Sequence, residues 1–266
     1  MRTLPLDTEL VPFRVVIERE RVDGIAVVRL AHGPVSAMDL ELCTAITETF
    51  RALADDDAQA VVLTGTGSAF SAGVDLRRIL DGGVAYVDEF MPALSEVLRT
   101  AFTFGKPVVA AVNGHAIAGG CVLAASADTA LMAEGKGRIG LAELQVGVAF
   151  PQVPLQVMHH AVGPVVARRL VIGAQTYDPA TAKELGLVDE VVAPDELLDR
   201  AIAAAKALTK IPADTFAITK EQLRRPFVQA MDESKDEERV AEIWRRRATD
   251  GIIADYMARA TGKRKN

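Results

Sequence analysis

Apolar positions in this chain fall into short runs and spaced stripes that alternate from the N-terminal end onward. Runs at 15–19 and 24–31, separated by Val22-Asp23-Gly24, predict two strands in a hairpin, because Asp-Gly readily supplies the positive φ angles of a tight turn. Asp39 stands just ahead of Leu40, Leu42, Ile46, Phe50 and Leu53, which share one helical face, so a capped helix is expected there. The same grammar then repeats. Residues 60–63 suit a buried strand, Thr64-Gly65-Thr66-Gly67-Ser68 makes a turn, and a helix is expected over 84–104, stopped by Lys106-Pro107. Further core strands are expected at 108–112, 128–132 and 187–192, with a turn and helix over 114–126. Strands alternating with helices place the chain in the α/β class with largely parallel sheets.

From Glu196 onward the pattern is helical, with an Ala-rich helix at 197–208 and a long segment over 220–247. The stretch contains no Gly/Ser linker, so these helices should dock on the core or on a neighbouring subunit. The division expected is a core of residues 1–199 and a helical region of residues 200–266.

Two turns share one design: Phe70-Ser71-Ala72-Gly73-Val74-Asp75-Leu76 and Asn113-Gly114-His115-Ala116-Ile117-Ala118-Gly119-Gly120. Each follows a buried strand and leads into a helix whose first amides lack intrahelical partners. Two such amides facing one point would bind an oxyanion. Neither turn matches a phosphate-binding or dinucleotide-binding glycine fingerprint. Asp75 suits a side-chain bond to its own turn, which would hold the amide of Val74 in place.

Composition narrows the options. The 266 residues carry a net charge of −6 and only 5% aromatics, which argues against a general nucleic-acid surface. Residues 244–266 hold seven Lys/Arg against Asp250 and Asp255, and that local excess suits an anionic small ligand. Two cysteines, Cys43 and Cys121, exclude a disulfide framework and point to a reducing setting. No apolar run reaches bilayer length, and the first dozen residues carry acids where a signal peptide needs an apolar core, so a cytoplasmic protein with no membrane partner is expected. His159-His160 has no partner at metal-ligand spacing, and no metal is expected.

The segments VVLTGTGSAFSAGVDL (61–76) and PVVAAVNGHAIAGGCVLAASAD (107–128) resemble the crotonase family of enoyl-CoA hydratases and isomerases. LVIGAQTYDPATAKELGLVDEVV (170–192) extends the likeness toward the basic end. The resemblance implies a spiral of ββα turns with a helical trimerisation region, assembled as a trimer or a dimer of trimers. It implies an acyl-CoA thioester as substrate, with coenzyme A as part of that substrate and no separate cofactor. The amides that hold the thioester oxygen map onto Val74 and Gly119. Ala72, Gly73, Asp75, Leu76, Arg77 and Gly120 fall in the surrounding substrate and CoA contacts, residues 81–98 in the acyl pocket, and Tyr256, Arg259 and Lys263 near the pantetheine and phosphates.

Hydratases of that family carry two glutamates. One maps onto Glu143; the other falls on Val122, a side chain that can neither orient water nor exchange a proton. Val148-Ala149-Phe150-Pro151-Gln152, after Gly147, likewise resembles single-glutamate enoyl-CoA isomerases. The expected reaction moves the double bond of a 3-enoyl-CoA to the 2 position with Glu143 as base and acid. The alternatives are a hydratase that draws a second acid from Glu134, Asp88 or Glu89, and a non-catalytic acyl-CoA binder. His115 reads as a structural or pocket-lining histidine and Glu134 as a solvated loop acid.

Overall fold

In the computed structural model, which describes residues 16–260, the hairpin forms first: β1 (Ile17–Val22) pairs antiparallel with β2 (Ile25–Leu30). Asp23 and Gly24 both take positive φ, 50° and 81°, as the two-residue turn requires. Val15, the start of the expected first strand, lies outside the described residues. β1 is an edge strand, and its exposed Glu18-Arg19-Glu20 run discourages pairing with another chain.

Helix α1 (Leu40–Ala54) is capped by Asp39, whose carboxylate accepts from Leu42 N at 2.9 Å. The chain then winds in similar turns. The first is β3 (Ala60–Gly65), β4 (Ala69–Ser71) and α2 (Leu76–Thr103). The second is β5 (Val108–Val112), β6 (His115–Ile117) and α3 (Gly119–Ala125), and the third is β7 (Thr129–Ala133), β8 (Ile139–Gly140) and α4 (Glu143–Val146). Each turn gives one strand to a six-stranded sheet and one to a four-stranded sheet. Helix α5 (Gln152–Gly173), β9 (Thr176–Tyr177), α6 (Pro179–Glu184) and β10 (Glu190–Val192) complete both sheets. Their orders are β1-β2-β3-β5-β7-β10 and β4-β6-β8-β9, parallel except at β1 and β9.

Residues along the large sheet alternate between two cores. Val28, Leu63, Ala110 and Met132 point into the main core with α1, α2, α3 and α5, while Val27, Val62, Val109 and Leu131 pack under α7 (Leu197–Leu208). Burial on both faces is why these strands read as unbroken apolar runs. Leu197, Ala201, Ile202 and Ala205 of α7 form the lid of that second core, so the division placed at residue 199/200 falls inside a helix that belongs to the sheet.

Two expectations are corrected. The helix expected over 84–104 starts at Leu76, because Asp75 caps it by accepting from the Arg77 and Arg78 amides; the non-helical Gly83 breaks the periodicity and hides the first part. The segment over 220–247 is two helices, α8 (Ala213–Asp232) and α9 (Glu237–Arg247), followed by α10 (Ile252–Ala260). Helix α8 is fastened to the core by Asp128, which accepts from Lys220 Nζ at 2.7 Å, Arg224 at 2.8 Å and Val108 N at 2.8 Å. Among the described residues, no helix is long and apolar enough to cross a membrane.

Candidate active site

The small sheet aligns the site. β4, β6 and β8 run parallel as neighbours, so their C-terminal ends lie side by side. Val74, Gly119 and Glu143 each follow one of those ends within three residues. Loops leaving the carboxyl ends of parallel strands are the usual place for a ligand in sheets of this kind.

The first turn lies directly on the second. Gly73 has φ +79°, and a Cβ there would stand 2.4 Å from Ile117 O and 3.0 Å from Ala118 Cβ, so only glycine allows the approach. Ser71 ties the turn to the chain before α1: its hydroxyl donates to Ser36 O at 2.7 Å and accepts from Gly73 N at 3.2 Å. Ala72 N donates to Val35 O at 2.9 Å.

Met38 reaches both amides of interest. It bridges Val74 in a parallel pair whose bonds are Met38 N to Gly73 O at 2.7 Å and Asp75 N to Met38 O at 2.9 Å. A bridge of that register skips the amide of Val74. The sulfur of Met38 also occupies the space that a side chain at Gly119 would need, 2.9 Å from the Cβ position. Gly119 opens α3, where the first helical bond is Val122 N to Ala118 O, so its own N–H has no carbonyl within the helix. Two unclaimed amides therefore flank one buried methionine.

Glu143 comes in from the third strand. Ala118 N donates to Gly140 O at 2.8 Å, which sets the chain just before Glu143 beside the chain just before Gly119. The Glu143 side chain is 8% exposed, and its Oε2 accepts from Ala142 N at 2.9 Å. Burial lifts its pKa to about 7, against the backbone N–H groups of Glu143 and Ala142 that favour the charged form. Burial, and to a lesser extent the charge of Glu143, pushes the Cys121 thiol upward. A carboxyl poised near neutrality can take a proton and give it back.

The remaining expected residues are placed as follows. Val122 is fully buried in the main core, and Gly120 is buried in the first turn of α3. Leu76 is half-buried at the start of α2, while Arg77 is exposed. Tyr256 packs half-buried against the main core and Arg259 is exposed; Lys263 lies outside the described residues. His115 is half-buried on β6. Of the acids considered as a second group, Glu134 and Glu89 are exposed, and Asp88 is bound by Arg245 at 2.5 Å.

Sequence reasoning missed Met38, which lies in no motif and touches both turns, and gave no role to the Ser71 hydroxyl, which ties the first turn to Ser36. It also missed a grouping of His32, Asp39 and Glu41, which bring one potential ligand atom each within 4.8 Å of one another. Asp39 already uses one oxygen as the cap of α1 and the other on His32 Nε2 at 2.9 Å.

The family model for enoyl-CoA hydratase/isomerase matches residues 20–243. This chain belongs to that family. It is 32% identical over 215 residues to the mitochondrial enoyl-CoA delta isomerase 1 of Mus musculus, covering 80% of this chain and 74% of the relative. It is 30% identical over 220 residues to a probable enoyl-CoA hydratase of Mycobacterium tuberculosis, covering 82% and 84%. Among solved structures, human mitochondrial delta3-delta2-enoyl-CoA isomerase superposes with a TM-score of 0.87 at 25% identity, over 94% of this chain and all of that one. The spiral of ββα turns expected from the motifs is therefore the fold of this chain, and an enzyme of the hydratase/isomerase family is its class.

Proposed function

We propose that this enzyme moves the double bond of a 3-enoyl-CoA to the 2 position with Glu143 as its single acid-base group. The observation that carries this reading is the pairing of a buried, near-neutral carboxyl at residue 143 with a wholly apolar, buried Val122 where a second acid would stand. Ionised Glu143 removes a proton from C2, and the electron pair spreads over C2 to C4 and the thioester oxygen. The amides of Val74 and Gly119 receive that oxygen; each such donor contributes about 3 kcal/mol in a dry site. Protonated Glu143 then returns the proton to C4, which leaves the double bond between C2 and C3 and restores the carboxylate. Hydration would need an ordered water and a second proton donor; of the acids considered for that part, Glu134 and Glu89 are exposed and Asp88 is bound to Arg245.

The coenzyme A portion is assigned to Ala72, Gly73, Asp75, Leu76, Arg77 and Gly120 around the first amide, with Tyr256, Arg259 and Lys263 toward the phosphates. Arginine suits phosphate through its fork of donors. No cofactor beyond the substrate's own coenzyme A enters the scheme. Large apolar side chains stand exposed on α8 (Ile218, 47%; Leu223, 63%) and α5 (Val165, 57%; Ile172, 69%), which supports burial against further copies of this chain in a trimer or dimer of trimers. A cytoplasmic location is proposed on the two buried free thiols, which suit a reducing compartment.

A hydratase is the second reading, favoured by relatives that bear that name, such as the one in Mycobacterium tuberculosis. Turnover of 3-enoyl-CoA by the wild type and by Glu143→Gln tests the proposal. Isomerisation that is abolished by the amide supports it; isomerisation that persists at the wild-type rate rejects Glu143 as the base.

A further inference from the structure

Helix α4, which carries Glu143, spans only Glu143–Val146 and has no side-chain cap. A helix this short has no stability of its own, so its position is set from outside. Gln145 of α4 itself donates Nε2–H to Ala174 O at 2.7 Å, and the turn that follows α4 is held from α9. Trp244, 1% exposed, donates Nε1–H to Ala149 O at 2.9 Å, and Arg247 donates Nε–H to Gly147 O at 2.7 Å. Residues 147 and 148 are themselves tied to Glu143, because Gly147 N and Val148 N donate to Glu143 O at 3.0 and 3.1 Å. Gly147 closes α4 in the left-handed conformation, φ +92°, and Ile252 Cγ2 of α10 stands 2.7 Å from the position a Cβ would occupy there. The guanidinium is fixed in turn: Arg247 pairs with Asp250, whose Oδ1 accepts from Ile252 N at 3.0 Å at the start of α10.

We propose that Arg247 and Trp244 are positioning residues for the reaction, holding the turn after Glu143 and through it the carboxyl group. The proposal rests on the reading of Glu143 as the base. It gives the C-terminal helices a task within their own subunit besides any assembly they support. Arg247 acts on a main-chain carbonyl, so the contact fixes geometry and leaves substrate affinity to other groups.

The test compares kcat and KM for 3-enoyl-CoA in Arg247→Ala, Arg247→Lys, Trp244→Phe and Glu143→Gln, with Arg239→Ala as a control on the exposed side of α9. Loss of positioning should lower kcat about tenfold to a hundredfold in Arg247→Ala while KM stays within about twofold. Arg247→Lys, which keeps a donor and a charge, should recover part of kcat. Trp244→Phe, which keeps the bulk and removes the donor, should lower kcat in the same selective way and decides the matter if Arg247→Ala does not fold. Arg239→Ala should match the wild type. Wild-type kcat in both Arg247→Ala and Trp244→Phe, alongside an inactive Glu143→Gln, would overturn the positioning role and leave the base in place. Full activity in Glu143→Gln, or no turnover by the wild type, would instead overturn the base and the positioning role with it.

Discussion

Met38 and Val74 pair as an isolated parallel bridge whose two hydrogen bonds run through the neighbours Gly73 and Asp75. That register holds Val74 in place while leaving its own N–H unclaimed, which suits the role proposed for the backbone amide, not the side chain, at residue 74. Val74→Ala should therefore keep kcat near the wild-type value. Gly73→Ala should not, since the new Cβ would meet Ile117 O at 2.4 Å and the backbone there sits at φ +79°. A loss of about a hundredfold in kcat is expected as the amide moves off the oxyanion. Steady-state rates on the two purified variants check the contrast.

Glu143 should set the acid limb of activity. With a pKa of about 7 in the free enzyme, the base is ionised only above neutrality, so kcat/KM should rise with pH and level off beyond about pH 8. A pH profile of the isomerisation reaction shows this directly. A limb near the ordinary glutamate pKa would mean that burial does not hold the group neutral.

The same elevation has a consequence for stability. The folded state holds Glu143 neutral up to about pH 7, whereas the unfolded chain ionises it near 4.5. The stabilising contribution is thus complete below the unfolded value and is lost as pH rises through the folded one. At pH 8, Glu143→Gln should be more stable than the wild type by about 3 kcal/mol, at ~1.4 kcal/mol for each pH unit of separation. Below about pH 4 the difference should vanish. Denaturant melts of both proteins at pH 4 and pH 8 measure it.

Asp128 should matter to the fold and not to the chemistry. It neutralises Lys220 and Arg224, both under 7% exposed, and burial holds the Lys220 pKa down to about 8. Asp128→Asn would leave two buried cations without their counter-ion, a change that costs about 3–5 kcal/mol. Thermal or chemical unfolding of this variant is the check.

Much of the fold was legible because the large sheet is buried on both faces, so residues 60–63 and 108–112 read as plain apolar runs. The small sheet was not. Its strands β4, β6, β8 and β9 span two or three residues each, too few to show a period, and β4 and β6 lie inside or beside stretches that read as turns. The motif turns could be seen in the sequence, but the device that aligns Val74, Gly119 and Glu143 could not. Trp244 and Arg247 were invisible for another reason: their partners are carbonyl oxygens about a hundred residues away, and a carbonyl carries no residue signature.

The central claim is that one carboxyl, without a second acid above Val122, makes this family member an isomerase. The most direct measurement offers 3-enoyl-CoA and 2-enoyl-CoA of equal chain length to the same preparation and compares the rates of isomerisation and hydration, then repeats both with Val122→Glu. The expected result is isomerisation well ahead of hydration in the wild type, with hydration raised selectively by the added acid. A wild type that hydrates 2-enoyl-CoA faster than it isomerises 3-enoyl-CoA would contradict the claim.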